Sequence, residues 1–291
     1  MRGLNLTLEL EHQNGSEHKF GALSQPGIVS IPLEEREQYL PQGEQQNIGE
    51  EKYWCASASP LNSLAALFTY HYQHNMLLEN KKWLRDNGYT NYDRVDFSDA
   101  FVAINSGTTR GGNSLIAPLR AICGEVVGKG LIPKHILPQL PGFDETYDPS
   151  RITLAMYDLG AEFKRRFTIR YEQVQNLHIA NVLADDMVGV ALYAWPQPVN
   201  GIYPKTDNGF NHAVMLYEPR YYAFDNYVEG EGDYIKALAP DYELFQYGYR
   251  IYLAAENPNA TAEQLALYQK VIPLLKQWLA LLLQKVGSII N

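Results

Sequence analysis

The spacing of apolar residues changes part-way along this 291-residue chain, and that change restricts the fold more than any other feature. Leu61, Leu64, Leu67 and Phe68 recur at the spacing that gives a helix one buried face, predicting a helix over residues 61–84 that stops at Asp86-Asn87-Gly88. Further helices are predicted from Phe97-Ser98-Asp99, over 115–127 and over 152–163. From residue 166 onward the runs become short, β-branched and aromatic, so that 166–171, 188–194, 212–217, 221–224 and 247–253 read as strands. Helices first and strands later predict an α+β chain of two lobes, helical over about 45–165 and β over about 166–254. Residues 3–33 alternate like strands, with turns at Asn14-Gly15 and Gln25-Pro26-Gly27, and are expected to pack on this body. Residues 34–54 read as a polar approach to Cys55.

The last stretch has a different pattern. Thr261-Ala-Glu-Gln264 is a capping-box signature before an apolar run whose Lys276, Gln277, Gln284 and Lys285 keep to one side, with Pro273 kinking or dividing the helix. Polar residues interrupt it too often for a membrane span, so residues 261–290 read as a docking or oligomerisation helix. The expected division is therefore a main domain over 1–258 and a helical extension over 259–291.

Charge and cysteine content narrow the chemistry. A net charge of −9 without a Lys/Arg cluster repels phosphate backbones, so no nucleic-acid partner is expected. Two cysteines, Cys55 and Cys123, cannot make a disulfide framework, and neither has the spacing of a zinc ligand set; no metal and no cofactor are expected. The N-terminal residues lack the continuous apolar core of a signal peptide, which points to a reducing, cytoplasmic compartment or to release from a cell by lysis.

Cys55 stands where the polar segment gives way to the helical run, so its sulfur is expected at a helix N-terminus. There the unpaired amides and the positive dipole end favour a thiolate over a free thiol, whose pKa is ~8.5. A thiol nucleophile needs a base, and among seven histidines His212 opens an apolar strand after the turn-rich Asn208-Gly-Phe-Asn211. The competing readings are structural: a small buried hydrophobe for Cys55, a core or exposed strand residue for His212. His71 and His74 lie three apart, but no carboxylate or Cys joins them at ligand spacing, so they read as a solvated helix face.

In order along the chain, Cys55-Ala-Ser-Ala-Ser59, Phe97-Ser98-Asp99, Arg110-Gly-Gly112, Asn211-His-Ala-Val214 and Tyr247-Gly-Tyr-Arg-Ile251 resemble the motifs of the papain-like cysteine peptidases, over residues 45–254. The resemblance implies a helical left lobe bearing the Cys and a β-barrel right lobe bearing the His, with a peptide or protein substrate in the cleft between them. It implies cleavage of peptide or isopeptide bonds, with Cys55 as nucleophile and His212 as proton carrier. Phe224-Asp225-Asn226-Tyr227, similar to the family's Lys-Asn-Ser-Trp, puts Asp225 in the place of the residue that orients the ring, or Asn226 if the register shifts by one. Gly111 and Gly112, with Asn211, would bind the substrate backbone as an added strand. The family's oxyanion-hole Gln lies six residues before the Cys, where this chain has Gly49; Gln46 is expected to serve instead, with Gln45 and Asn47 as alternatives. Some 54 residues precede Cys55, and together with the Leu/Gln-rich tail this looks like phage and bacterial members, which implies peptidoglycan cross-bridges or virion proteins as substrates. The alternative is a papain-fold subunit of a virion or larger assembly that no longer catalyses, favoured by the displaced Gln; acyl transfer such as transglutamination is a third reading.

Overall fold

The computed structural model describes residues 4–8, 30–43, 47, 49–77, 79–124, 128–227 and 234–254. The chain falls into two units, Met1–Ala254 and Ala255–Asn291. The second unit, and with it the amphipathic tail, lies outside the described residues, as does the strand-like stretch 9–29.

In the first unit helices come first: α1 (Arg36–Tyr39), α2 (Cys55–Gln73), α3 (Glu79–Asp86), a small ladder of β1 (Thr90–Asn91) and β2 (Arg94–Val95), α4 (Asp99–Asn105), α5 (Ile116–Cys123), α6 (Phe143–Thr146) and α7 (Leu154–Arg166). Then follow β3 (Ile169–Gln175), α8 (Asn176–Asp185), β4 (Val188–Leu192), β5 (Ile202–Tyr203), β6 (His212–Glu218), β7 (Tyr222–Phe224), β8 (Ile235–Leu238) and β9 (Leu244–Leu253). The mixed order of helices and then sheet is that of the sequence reading, with α8 inserted where no helix is predicted.

Strands β3 to β9 pair in the order β3-β9-β4-β6-β7-β8-β5, antiparallel except for β5 with β8. A barrel is not what these pairings make. β3 and β5 are the two ends, and among the described residues nothing joins them. A two-residue strand such as β5 offers too few ladder bonds to close a barrel, which needs a full stagger of strands.

Helix α2 begins at Cys55, earlier than the apolar period suggests, because the Trp54 carbonyl accepts from the amides of Ser57 and Ala58 at 2.8 and 2.9 Å. It ends at Gln73, and the left-handed Asn75 (φ 56°) separates it from α3. One helix over 61–84 is thus two. Every residue of α2 from Cys55 to Tyr72 is buried, so it is the central rod of the core rather than a surface helix with one apolar stripe. His71, read as solvated, is fully buried for the same reason, while the exposed His74 meets the Tyr39 hydroxyl at 3.0 Å.

The N-terminal readings also change. Residues 6–8 form a helical turn, and the polar approach contains α1. Buried Arg36 accounts for that helix: its guanidinium donates to the carbonyls of Ile31, Leu183, Ala184, Asp186 and Tyr217, tying α1 to the end of α8 and to β6.

Helix and sheet approach closely at one point. Ser59 Oγ of α2 donates to the Val214 carbonyl of β6 at 2.9 Å, and a Cβ at Gly189 of β4 would come 2.6 Å from that same oxygen. Gly189→Ala should therefore cost ~1–3 kcal/mol of stability, read as a lower urea midpoint, and adding Ser59→Ala should return part of the loss. A Gly189→Ala chain as stable as the native one would mean that the helix–sheet distance is set elsewhere.

Candidate active site

Cys55 is the first residue of α2 and is 1% exposed. The segment before it is clamped to the loop around α6. Tyr147 donates to the Lys52 carbonyl at 2.7 Å, the Phe143 amide donates to the Glu50 carboxylate at 2.7 Å, and Lys52 donates to the Glu50 and Pro141 carbonyls. Arg110 joins Glu50 as well, and Asp144 at 3.1 Å.

His212 opens β6, and Asp225 follows the end of β7, its antiparallel neighbour. His212 Nε2 and Asp225 Oδ1 are 2.6 Å apart, with the two side chains 0% and 1% exposed. The same Oδ1 accepts the Asn226 amide at 2.6 Å, and Oδ2 accepts the indole N–H of Trp195 at 2.6 Å. Asn226, the alternative partner, turns to the other side, where its Oδ1 accepts from Asn62 of α2 at 2.9 Å. Alternate residues of an extended chain face opposite ways, so one of the pair reaches the ring and it is Asp225.

Two aromatic rings cover the imidazole: Tyr227 at 5.0 Å and Trp195, edge-on, at 6.1 Å between centroids. Burial alone would strip the proton from His212. The charges of Asp225 and Cys55, with hydrogen bonds to both, outweigh it and raise the pKa from 6.5 to about 10. With Nε2 on Asp225, Nδ1 is the nitrogen left for the Cys55 thiol. Tyr227 donates its hydroxyl to Glu51, and burial followed by the Glu51 charge pushes that phenol far up, so it stays a neutral donor.

Other expected site residues are placed differently. Gln45 and Gln46 lie outside the described residues, and Asn47 is exposed in a turn. Gly49, at φ 78°, packs against Pro141. Gly111 and Gly112 close a tight turn in which both amides point back to Thr109, with Gly112 at φ 87°. Asn211 uses its side chain to accept the Ala194 amide at 2.9 Å. Beside that turn the chain's own N-terminal segment is paired: Leu4 bridges Asn113 in parallel, Asn5 N–H donates to the Asn113 carbonyl at 2.7 Å, and Leu4 N–H reaches the Asn211 carbonyl at 3.4 Å. Leu4 is 4% exposed. Sequence reasoning missed Trp195 and Glu51 as neighbours of the site, since no local pattern links them to it; Tyr227 stood in the quoted Phe224-Asp225-Asn226-Tyr227 motif but was given no role. Among the described residues no three His, Cys, Asp or Glu converge as metal ligands, and no helix is long and apolar enough to cross a membrane.

No protein-family model matches this chain, and no curated protein is similar to it at a significant level. Solved structures are similar. The cysteine protease Amb a 11, a major ragweed pollen allergen, in its proform, superposes with a TM-score of 0.51 at 13% identity, over 86% of this chain and 76% of that one. A structure from the mite allergens Blo t 1 and Der p 1 gives 0.50 at 13% identity, over 87% and 78%. The fold is papain-like. At such identity the likeness speaks for the papain-like architecture, and the chemistry must be argued from this chain's own side chains.

The raised pKa of His212 has a consequence for stability. The ring binds its proton more tightly when folded, so its contribution is complete below 6.5 and is lost as pH rises through about 10. The urea midpoint of the native chain should fall across that window, and Asp225→Asn, which keeps an acceptor but removes the charge, should flatten the fall. An unchanged slope in Asp225→Asn would mean that the carboxylate does not hold the proton.

Proposed function

We propose that this chain is a papain-like cysteine peptidase or amidase, cleaving peptide or isopeptide bonds through Cys55, His212 and Asp225. The observation that carries the reading is the buried imidazole, held by Asp225 through Nε2 and beside Cys55 at the head of a helix. In the proposed reaction the proton shared by Cys55 and His212 rests on the ring, whose raised pKa keeps it there at neutral pH, and the Cys55 sulfur attacks the substrate carbonyl carbon. The C–N bond breaks, the ring's proton goes to the leaving amine, and an acyl thioester remains; water, deprotonated by the ring, then releases the acid and restores the thiol. Asp225 keeps the ring's orientation throughout. The Cys55 amide, with Gln46 proposed as second donor on the sequence alone, would meet the oxyanion.

We carry the substrate proposal as far as peptidoglycan cross-bridges and virion proteins, in a cytoplasmic or virion-associated setting, with residues 261–290 docking the chain to a partner or a second copy; these extensions rest on the sequence pattern. One observation favours the rival reading, a papain-fold binding subunit without activity. Leu4 and Asn5 already hold the Asn211 and Asn113 carbonyls beside the site.

Cys123 supplies an internal control, because burial pushes its thiol up. Iodoacetamide at neutral pH should label Cys55 at least ~10-fold faster than Cys123; equal rates would remove the nucleophile from the proposal. Hydrolysis of peptide and isopeptide substrates should fall ~1000-fold or more in Cys55→Ser and His212→Ala. Deleting residues 1–8 should speed labelling by a peptidyl electrophile more than labelling by iodoacetamide. A reactive Cys55 with no hydrolysis, before or after that deletion, would decide for the binding subunit.

A further inference from the structure

We infer that Trp195 is a positioning residue of the site: its indole N–H holds one oxygen of Asp225 so that the other stays on His212. The inference deepens the peptidase reading and, for its catalytic meaning, rests on it.

A carboxylate on a short side chain rotates easily about its last torsion, which has broad minima rather than narrow ones. Asp225 Oδ1 carries two bonds, from His212 Nε2 and from the Asn226 amide, each at 2.6 Å. Oδ2 is bonded by Trp195 Nε1 at 2.6 Å. Without that donor, one lone oxygen in a dry site would lack a partner, and the group would turn or draw in water to supply one. Either change moves charge away from the ring.

Trp195 can do this because its own place is fixed. It lies in the loop after β4, where the Asn211 side chain accepts the amide of Ala194 at 2.9 Å and Tyr242 donates to the Tyr193 carbonyl. Its ring packs at 5.1 Å on Tyr203 and 6.4 Å on Tyr242. Asn211 immediately precedes His212. A single dipeptide therefore sets both the imidazole and the loop whose indole holds the imidazole's partner, and the path from Asn211 through Trp195 and Asp225 returns to His212. The groups that face the ring are Asp225 after β7, Cys55 of α2, and Tyr227 with Glu51 on its hydroxyl.

The test replaces the Trp195 indole, in the full chain, by its benzothiophene isostere, which keeps the ring and deletes the N–H; Trp195→Phe is the second variant. Two quantities are read, the NMR titration midpoint of the His212 ring nitrogens and the rate of Cys55 alkylation at neutral pH. Both variants should lower the midpoint by about one unit, since the imidazolium loses part of its anion. Alkylation at neutral pH should change little, because a ring with its midpoint one unit lower still holds its proton there; a large loss would mean that the substitution displaces His212 itself. In the native chain the Trp195 indole N–H resonance should titrate with the same midpoint as the His212 ring, a readout that needs no variant. An unchanged midpoint in the isostere, or an indole resonance indifferent to the titration, overturns the inference. If native Cys55 reacts no faster than Cys123, the peptidase reading fails instead, and the His212 midpoint still decides what Trp195 does.

Discussion

The burial of α2 on all its sides is the constraint on which the rest depends. A rod covered by sheet on one flank and helices on others can present chemistry only at an end, and Cys55 occupies the N-terminal one. Three polar side chains fix its rotation. Ser59 bonds to the Val214 carbonyl of β6, Asn62 to the Asn226 side chain after β7, and Thr69 accepts the Val95 amide of β2 at 3.0 Å. Cys55, Ser59 and Asn62 follow the four- and three-residue steps that keep residues on one helix face. The two bonds that orient the helix on the sheet therefore also turn Cys55 toward the start of β6, where His212 lies. Burying Leu64 or Phe68 supplies ~1.5–3 kcal/mol each, more than any one of these hydrogen bonds. The apolar contacts hold the rod, and the polar ones choose its angle.

Asp225, Asp186 and Arg36 are buried charges surrounded by donors or acceptors. Asp225 has three donors, from an imidazole, an indole and a backbone amide. Asp186, pushed up by burial and drawn back by the charge of Arg250, bonds that guanidinium at 2.7 Å and the Met187 amide at 2.8 Å. Arg36 is instead caged by carbonyls at the end of α8 and on β6, so burial lowers its affinity for the proton without an adjacent carboxylate bond to restore it. The first arrangement leaves the ring's second nitrogen beside a thiol; the other two spend all their bonding on structure. That difference separates a site from a brace.

What the sequence made legible follows from what carries information locally. Cys55, His212 and Asp225 could be read because strand alternation and helix starts are short-range signals, and the order of motifs supplied the rest. Asp225 was favoured by its place in the motif, with Asn226 left as the alternative because the choice turns on the register between β6 and β7, which is irregular at Leu216 and Glu218. The first turns of α2 carried no apolar period, because a helix buried all round has no stripe and the period becomes visible only from Leu61; the change from polar to helical sequence at Cys55 was the sole mark of its start. The open sheet was hidden in the two-residue β5. Trp195 was hidden most fully: its link to Asp225 spans 30 residues and runs through a loop whose path no periodicity records.

The N-terminal segment shows how main-chain carbonyls of the helical half and of the sheet are both satisfied by one stretch of chain. Asn113 belongs to the helical half and Asn211 to the sheet, and each presents a carbonyl that behaves like a strand edge in search of a partner. Leu4 and Asn5 supply the amides. Each such bond adds only ~0.5–1.5 kcal/mol net, so burial of the Leu4 side chain contributes as much as both together. A tethered segment also competes at an effective concentration of about a millimolar. A peptide that only repeats these two bonds and one apolar contact is matched by the chain's own residues at such concentrations. A peptide that adds one further buried side chain gains ~1.5–3 kcal/mol and displaces them. On the proposed peptidase reading, selectivity would then come from how far a substrate's contacts extend beyond the pair of carbonyls, because two backbone bonds alone would not displace the chain's own residues.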